Sequence, residues 1–165
     1  MKFCYLDESG SIDTGYAVMV GVLVDSTRMH VTKDHWLELL DILSEIIDQP
    51  VPEFHTRKFY GGNSICRSVD GQERANIISA ILDWLCDRRH RVVYSAVDVA
   101  KFSADFAGHG YGPSVGSLWR FLALHVALAL QRSNQREARN KGNTVLVFDN
   151  KETEQTEFTK LILDP

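Results

Sequence analysis

Residues 3–24 read Phe3-Cys-Tyr-Leu-Asp7-Glu-Ser-Gly10-Ser-Ile-Asp-Thr-Gly15-Tyr-Ala-Val-Met-Val-Gly-Val-Leu-Val24. The apolar run Phe3 to Leu6 is ended by Asp7, Glu8, Ser9 and Gly10, and a turn-rich stretch reaches to Gly15. Tyr16 to Val24 is rich in β-branched residues, which favour a pleated backbone. Together these residues predict a β-hairpin with both strands largely buried.

Beyond the hairpin, Trp36, Leu39, Leu40, Leu43, Ile46 and Ile47 recur at intervals of three and four, predicting an amphipathic helix over about 33–48 with Thr32 as its N-cap. Glu38, Asp41, Glu45 and Asp48 form its wet face. Pro50 and Pro52 impose an extended entry into Glu53–Phe59, read as a weak edge strand. Asp70 followed by Glu73 has capping-box spacing, and Ile77, Ile78, Ile81, Leu82 and Leu85 make the apolar stripe of a helix to about Arg89. A strand follows over Val92–Val99. After the glycine-rich stretch Gly108–Gly112, a mostly apolar helix is expected from about Ser114 to Arg132, with His125 inside the core. A turn at 140–143 leads into the strand Thr144–Phe148, which runs into Asp149. Helices alternating with the later strands imply right-handed parallel crossovers. The fold class expected is α/β: a mixed sheet with an antiparallel hairpin followed by parallel helix-strand units.

The 165 residues, 44% hydrophobic and 24% charged, suit one globular domain spanning 1–165. A net charge of -4 removes the basic balance of a general nucleic-acid binder, so any such contact depends on local patches. Basic residues gather at Arg88, Arg89 and Arg91 and at Arg132, Arg136, Arg139 and Lys141, positions that read first as helix ends. Cys4, Cys66 and Cys86 form neither a CxxC motif nor an even set, which argues against a zinc module or a disulfide framework. No signal-peptide pattern opens the chain, and the longest apolar stretch, Leu118–Leu130, carries Arg120 and His125. The expectation is a reduced, cytoplasmic protein without a membrane span. The apolar helix leaves two roles open, burial within the domain or completion of a homodimer core.

Asp7, Asp98 and Asp149 each stand at or near the carboxyl end of an apolar strand. Parallel strands present those ends along one edge of an open sheet, where ligands bind. Carboxylates gathered there repel one another unless a cation neutralises them, and oxygen-only ligation suits Mg²⁺ or Mn²⁺. A pair of such ions would support in-line phosphodiester cleavage. Glu53 and His55 lie two apart on an extended segment, share one face, and are candidates for an extra ligand and a general acid or base.

Tyr5-Leu-Asp-Glu-Ser-Gly10, the Glu53-Phe-His55 segment, Val97-Asp-Val-Ala-Lys101 and Leu146-Val-Phe-Asp149 together resemble the bacterial domain of unknown function family 3800, over most of the chain. The resemblance implies a ribonuclease-H-like fold, with the helix at 33–48 as an insertion. It also implies a divalent-metal-dependent phosphodiesterase acting on nucleic acid, with Asp7, Asp98 and Asp149 as metal ligands and Glu53 or His55 assisting. Members of that family continue past the last strand with a Gln-x-x-Asp-like motif. Here Gln155 is followed by Phe158, so that motif is not carried over, and a C-terminally truncated form is one reading. The alternative is a catalytically inactive ribonuclease-H-like binding or assembly module.

Overall fold

In the computed structural model, the described residues are 1–10, 14–62, 64–106, 112–137, 142–149 and 151–163. The glycine-rich stretch at 107–111, including Gly108, Gly110 and Tyr111, and the turn residues 138–141, with Arg139 and Lys141, lie outside them. Strand β1 spans Lys2–Gly10 and β2 spans Tyr16–Asp25. The two pair antiparallel from Lys2 opposite Asp25 to Gly10 opposite Ala17. The hairpin therefore forms as expected, but β1 does not end at Leu6: Asp7, Glu8 and Ser9 are ladder residues. Nor are both faces of the hairpin buried. Cys4, Leu6, Met19 and Leu23 are buried on one face, whereas Tyr5, Asp7, Tyr16 and Val20 are exposed on the other. Alternation along each strand separates the two sets.

Strand β3, Arg91–Asp98, pairs antiparallel with β2, and β4, Thr144–Phe148, pairs parallel with β1. The sheet order is β3-β2-β1-β4, a mixed α/β sheet. Contacts divide the chain into two compact units: Met1–Asp25 with Arg91–Pro165, and Ser26–His90.

In the sheet unit, one helix covers the buried face. This is α6, Leu118–Arg136, whose Trp119, Leu122, Ala123, Val126 and Leu130 are buried at helical spacing over Cys4, Leu6, Met19 and Leu23. Ser117 caps it by accepting from the Arg120 backbone N–H at 3.1 Å. The helix expected from 114 to 132 is broken at Gly116, whose φ of +77° favours glycine. A one-turn helix α5, Gly112–Val115, precedes the break, and α4, Val99–Phe106, follows β3 directly. His125 is exposed on α6, with its ring 4.2 Å from that of Phe121, not in the core as expected. It lies four residues after Phe121, itself only half-buried, so the two share the margin of the helix beside the buried stripe. A further helix, α7 (Glu152–Leu163), docks through Phe158, which meets Trp119 and Phe148 edge-on at 6.1 and 5.8 Å.

At the other end of α6, Lys2 Nζ donates to both Glu137 carboxylate oxygens at 3.0 and 2.7 Å, and Arg91 pairs with the same group at 2.8 Å. The Lys2 hydrogen bond is the largest influence and, with smaller help from the charge of Arg91, holds the Glu137 carboxyl below its ordinary range against the opposing effect of burial. The starts of β1 and β3 are thereby tied to one helix end.

The second unit is helical. Helix α1 spans Met29–Ile47, starting before Thr32, and ends at Asp48 in the left-handed region. Its acidic row is exposed, as expected. Helix α3, Gly71–Asp87, begins under Asp70, whose carboxylate accepts from the backbone N–H of Gln72 and Glu73 at 2.8 and 3.0 Å. The weak strand expected over Glu53–Phe59 is absent. The chain is irregular to His55 and then forms the short helix α2, Thr56–Tyr60. One helical turn brings Phe59 to Phe54 at 5.1 Å and buries it with Leu40, Leu43 and Ile47. An extended strand would have left the two phenyl rings on opposite faces.

Two measurements test this packing. At Gly21 in β2, an added Cβ would stand 2.6 Å from Cys4 Sγ and 2.9 Å from Leu6 Cδ2. Gly21→Ala is therefore expected to lower unfolding free energy by about 1–3 kcal/mol in urea titrations, the usual cost of overpacking. Burial pushes the Cys4 thiol from an ordinary 9.0 to about 11. The folded state thus favours the protonated thiol. Its contribution is complete below pH 9 and is lost as pH rises towards 11. Stability should fall by ~2 kcal/mol across that window in the native sequence, and this loss should vanish in Cys4→Ala.

Candidate functional site

Strand direction decides which of the sequence-selected acids can meet. β1, β3 and β4 all run the same way, so Asp7, Asp98 and Asp149 lie towards one edge of the sheet. Their register separates them. The last β1–β4 pair is Leu6 opposite Phe148, and the next residue on each strand is Asp7 and Asp149. Paired strands are about 4.8 Å apart, so the backbones of these two residues lie near one another just past the last paired position. The rings of Phe148 and Trp119 are 5.0 Å apart, which places Phe148 on the helix-covered face. Asp149 is the first residue past β4 and, like Asp7, is exposed. Asp7 is exposed, and its Oδ1 accepts from the backbone N–H of Glu8 at 2.9 Å. The Asp149 carbonyl accepts from Gln155 Nε2 at 2.8 Å, which ties the end of β4 to α7.

Asp98 does not join them. Asp7 is level with Val20 and, through it, with Tyr94, while Asp98 lies four residues further along β3, opposite Tyr16. That is roughly 13 Å along the strands and about 10 Å across them. Asp98 instead begins α4: its Oδ1 accepts from the backbone N–H of Lys101 at 3.0 Å, the geometry of a helix N-cap. The expected three-carboxylate edge is thus an Asp7–Asp149 pair with Asp98 elsewhere. Among the described residues, no group of three or more His, Cys, Asp or Glu side chains is arranged to hold a metal ion.

Glu53 and His55 belong to the helical unit. His55 Nε2 and Glu53 Oε2 are 3.3 Å apart, both side chains are exposed, and both line a cavity of about 200 Å³ with Phe54 and Phe59.

One arrangement at the sheet edge was not read from the sequence. Glu8, adjacent to Asp7 but on the helix-covered face, accepts from Trp119 Nε1 at 3.2 Å and pairs with Lys151. Nearby, Glu154 of α7 accepts from Ser117 Oγ and from Arg120 Nε, each at 2.9 Å. The indole at the start of the most apolar helix was a usable signal, because a buried Trp N–H requires an acceptor. Which acid supplies it depends on a contact 111 residues apart in sequence.

Donor chemistry decides what the Asp7–Asp149 pair can hold. Two carboxylates from neighbouring strands fit one hydrated Mg²⁺ or Mn²⁺, since Mg²⁺ commonly keeps several waters and takes one or two protein carboxylates with substrate phosphates completing the shell. They do not fit a two-ion centre, which needs more oxygen ligands than the described residues bring together. Among the described residues, no helix is long and apolar enough to cross a membrane. No protein-family model, curated protein or solved structure matches the chain.

The assignment of Asp98 is testable by stability alone. Asp98→Ala should lower unfolding free energy by about 1 kcal/mol, and Asp98→Asn by only a few tenths, because asparagine caps a helix nearly as well. Equal losses in the two variants, measured by urea denaturation, would contradict the capping role.

Proposed function

We propose that the protein is a divalent-metal-dependent phosphodiesterase acting on nucleic acid, built on a ribonuclease-H-like sheet, with Asp7 and Asp149 as the carboxylates that hold Mg²⁺ or Mn²⁺. The observation that carries this reading is the parallel β1–β4 register, which brings two aspartates from distant parts of the chain to adjacent positions at a strand end. The strand order β3-β2-β1-β4, with an antiparallel hairpin and a parallel last strand, supports the fold that the resemblance to family 3800 implies. When bound, the cation would neutralise phosphate charge and favour ionisation of water. The protein's own contribution is to hold two carboxylates side by side on an exposed sheet edge. Glu8 is committed to Trp119 and Lys151 on the other face, so it fixes the strand end in place.

One observation favours a second reading, an inactive binding or assembly module: the third expected acid, Asp98, caps a helix and supplies no ligand to the pair.

The two readings separate in a cleavage assay on labelled single-stranded, duplex and hybrid oligonucleotides with Mg²⁺ or Mn²⁺. The expected result is cleavage that requires the cation, is abolished by Asp7→Asn and by Asp149→Asn, and is retained by Asp98→Asn. Loss of cleavage in Asp98→Asn would return that residue to the site. Absence of cleavage together with absence of Mn²⁺ binding would establish the inactive module.

A further inference from the structure

Helix α4 leaves the end of β3 with Lys101, Phe102, Asp105 and Phe106 recurring along its length, and α6 brings Phe121 to meet them. With Asp98, these side chains line a cavity of about 320 Å³ in the sheet unit. Three phenyl rings form its apolar wall. Phe102 and Phe106 stack at 4.5 Å, Phe102 and Phe121 are tilted at 4.9 Å, and Phe106 and Phe121 meet edge-on at 6.4 Å. All three are half-buried, and none belongs to the core cluster beneath α6.

Among the described residues, the polar lining is Asp98, Asp105 and Lys101. Among the described residues, none of the three forms an ion pair, although they line one cavity. Among the described residues, two carboxylates against one ammonium make the lining net negative. The faces of phenyl rings are negative as well. An anion is repelled by both features, and a neutral apolar molecule gains nothing from the carboxylates. A cation with an apolar shell uses both, because alkylated ammonium is weakly hydrated and is attracted to ring faces. The volume falls at the lower end of the range for small-molecule sites.

We propose that this cavity is a binding site for a small organic cation, an alkylated or quaternary ammonium, held by Phe102, Phe106 and Phe121 with Asp98 and Asp105 as counter-charges. The site shares no residue with the Asp7–Asp149 pair and stands or falls independently of the phosphodiesterase reading.

The test is calorimetric titration of the full chain with choline and, in parallel, with its neutral carbon isostere dimethylbutanol. Choline should bind several-fold more tightly than the isostere, the discrimination a cation–ring contact supplies at a partly exposed site. Asp105→Asn, a change at an exposed helix position, should weaken choline several-fold and leave the isostere unchanged. Phe121→Leu should weaken choline further, with circular dichroism confirming the fold. Equal affinity for choline and isostere, no binding of either, or choline binding indifferent to Asp105→Asn would each overturn the proposal.

Discussion

The parallel pairing of β4 with β1 is the constraint on which the sheet unit depends. β4 is only five residues long and reaches β1 after a crossover containing α6. Its register is set by what it buries. Leu146 and Phe148 pack towards the α6 side with Cys4 and Leu6 of β1. A slip of one residue would turn both to solvent and bring Asp149 towards Trp119, because side chains alternate faces. The apolar alternation that closes the core therefore also positions the aspartate pair. Phe158 reinforces it by packing against both Phe148 and Trp119, so α7 helps determine where β4 ends.

Adjacent acids at that edge meet opposite environments. Asp7 faces solvent. Glu8 lies towards the helix layer, where an unpaired carboxylate would carry a large desolvation penalty. The Trp119 N–H and the Lys151 ammonium remove that penalty. They also join β1, α6 and the residue before α7 through one side chain. Glu154 repeats the device, accepting from Ser117 and Arg120 at the start of α6. The two half-buried carboxylates act as fasteners, while the exposed one remains available to a ligand.

Local signals in the sequence carried much of this structure. The β-branched run Tyr16–Val24, the three-and-four spacing from Trp36 to Ile47, the Asp70 cap and the apolar run Thr144–Phe148 each determine their element by short-range physics. The misreadings share a nonlocal cause. Asp7, Glu8 and Ser9 look like a turn, yet ladder bonds to Val20, Met19 and Val18 hold them in the strand. Phe54 and Phe59 lack strand alternation because they pack across a helical turn that Leu40, Leu43 and Ile47 stabilise. α7 has a weakly apolar sequence, and its position depends on Phe158 finding the two rings of the sheet unit. At the site, the three strand-end acids were legible as a set, but their grouping was not, because register between strands is a tertiary property.

The separation of Asp98 from the other two aspartates follows from the difference between β3 and β4. β3 extends to Asp98, level with Tyr16 near the start of β2, whereas β4 stops at Phe148, level with Leu6 in the middle of β1. A longer strand carries its terminal acid further along the sheet, past the point where Asp7 and Asp149 meet. Asp98 then satisfies a backbone N–H of the helix that begins immediately after it. A carboxylate pair without a third acid leaves most of a cation's coordination shell to water and to the ligand that arrives with it. Such a centre depends more strongly on a phosphate-bearing partner than a fully protein-ligated one does, because the partner's oxygens complete the shell. On the proposed reading, the same geometry that removes Asp98 from the edge would couple retention of a cation to the presence of a phosphate-bearing substrate.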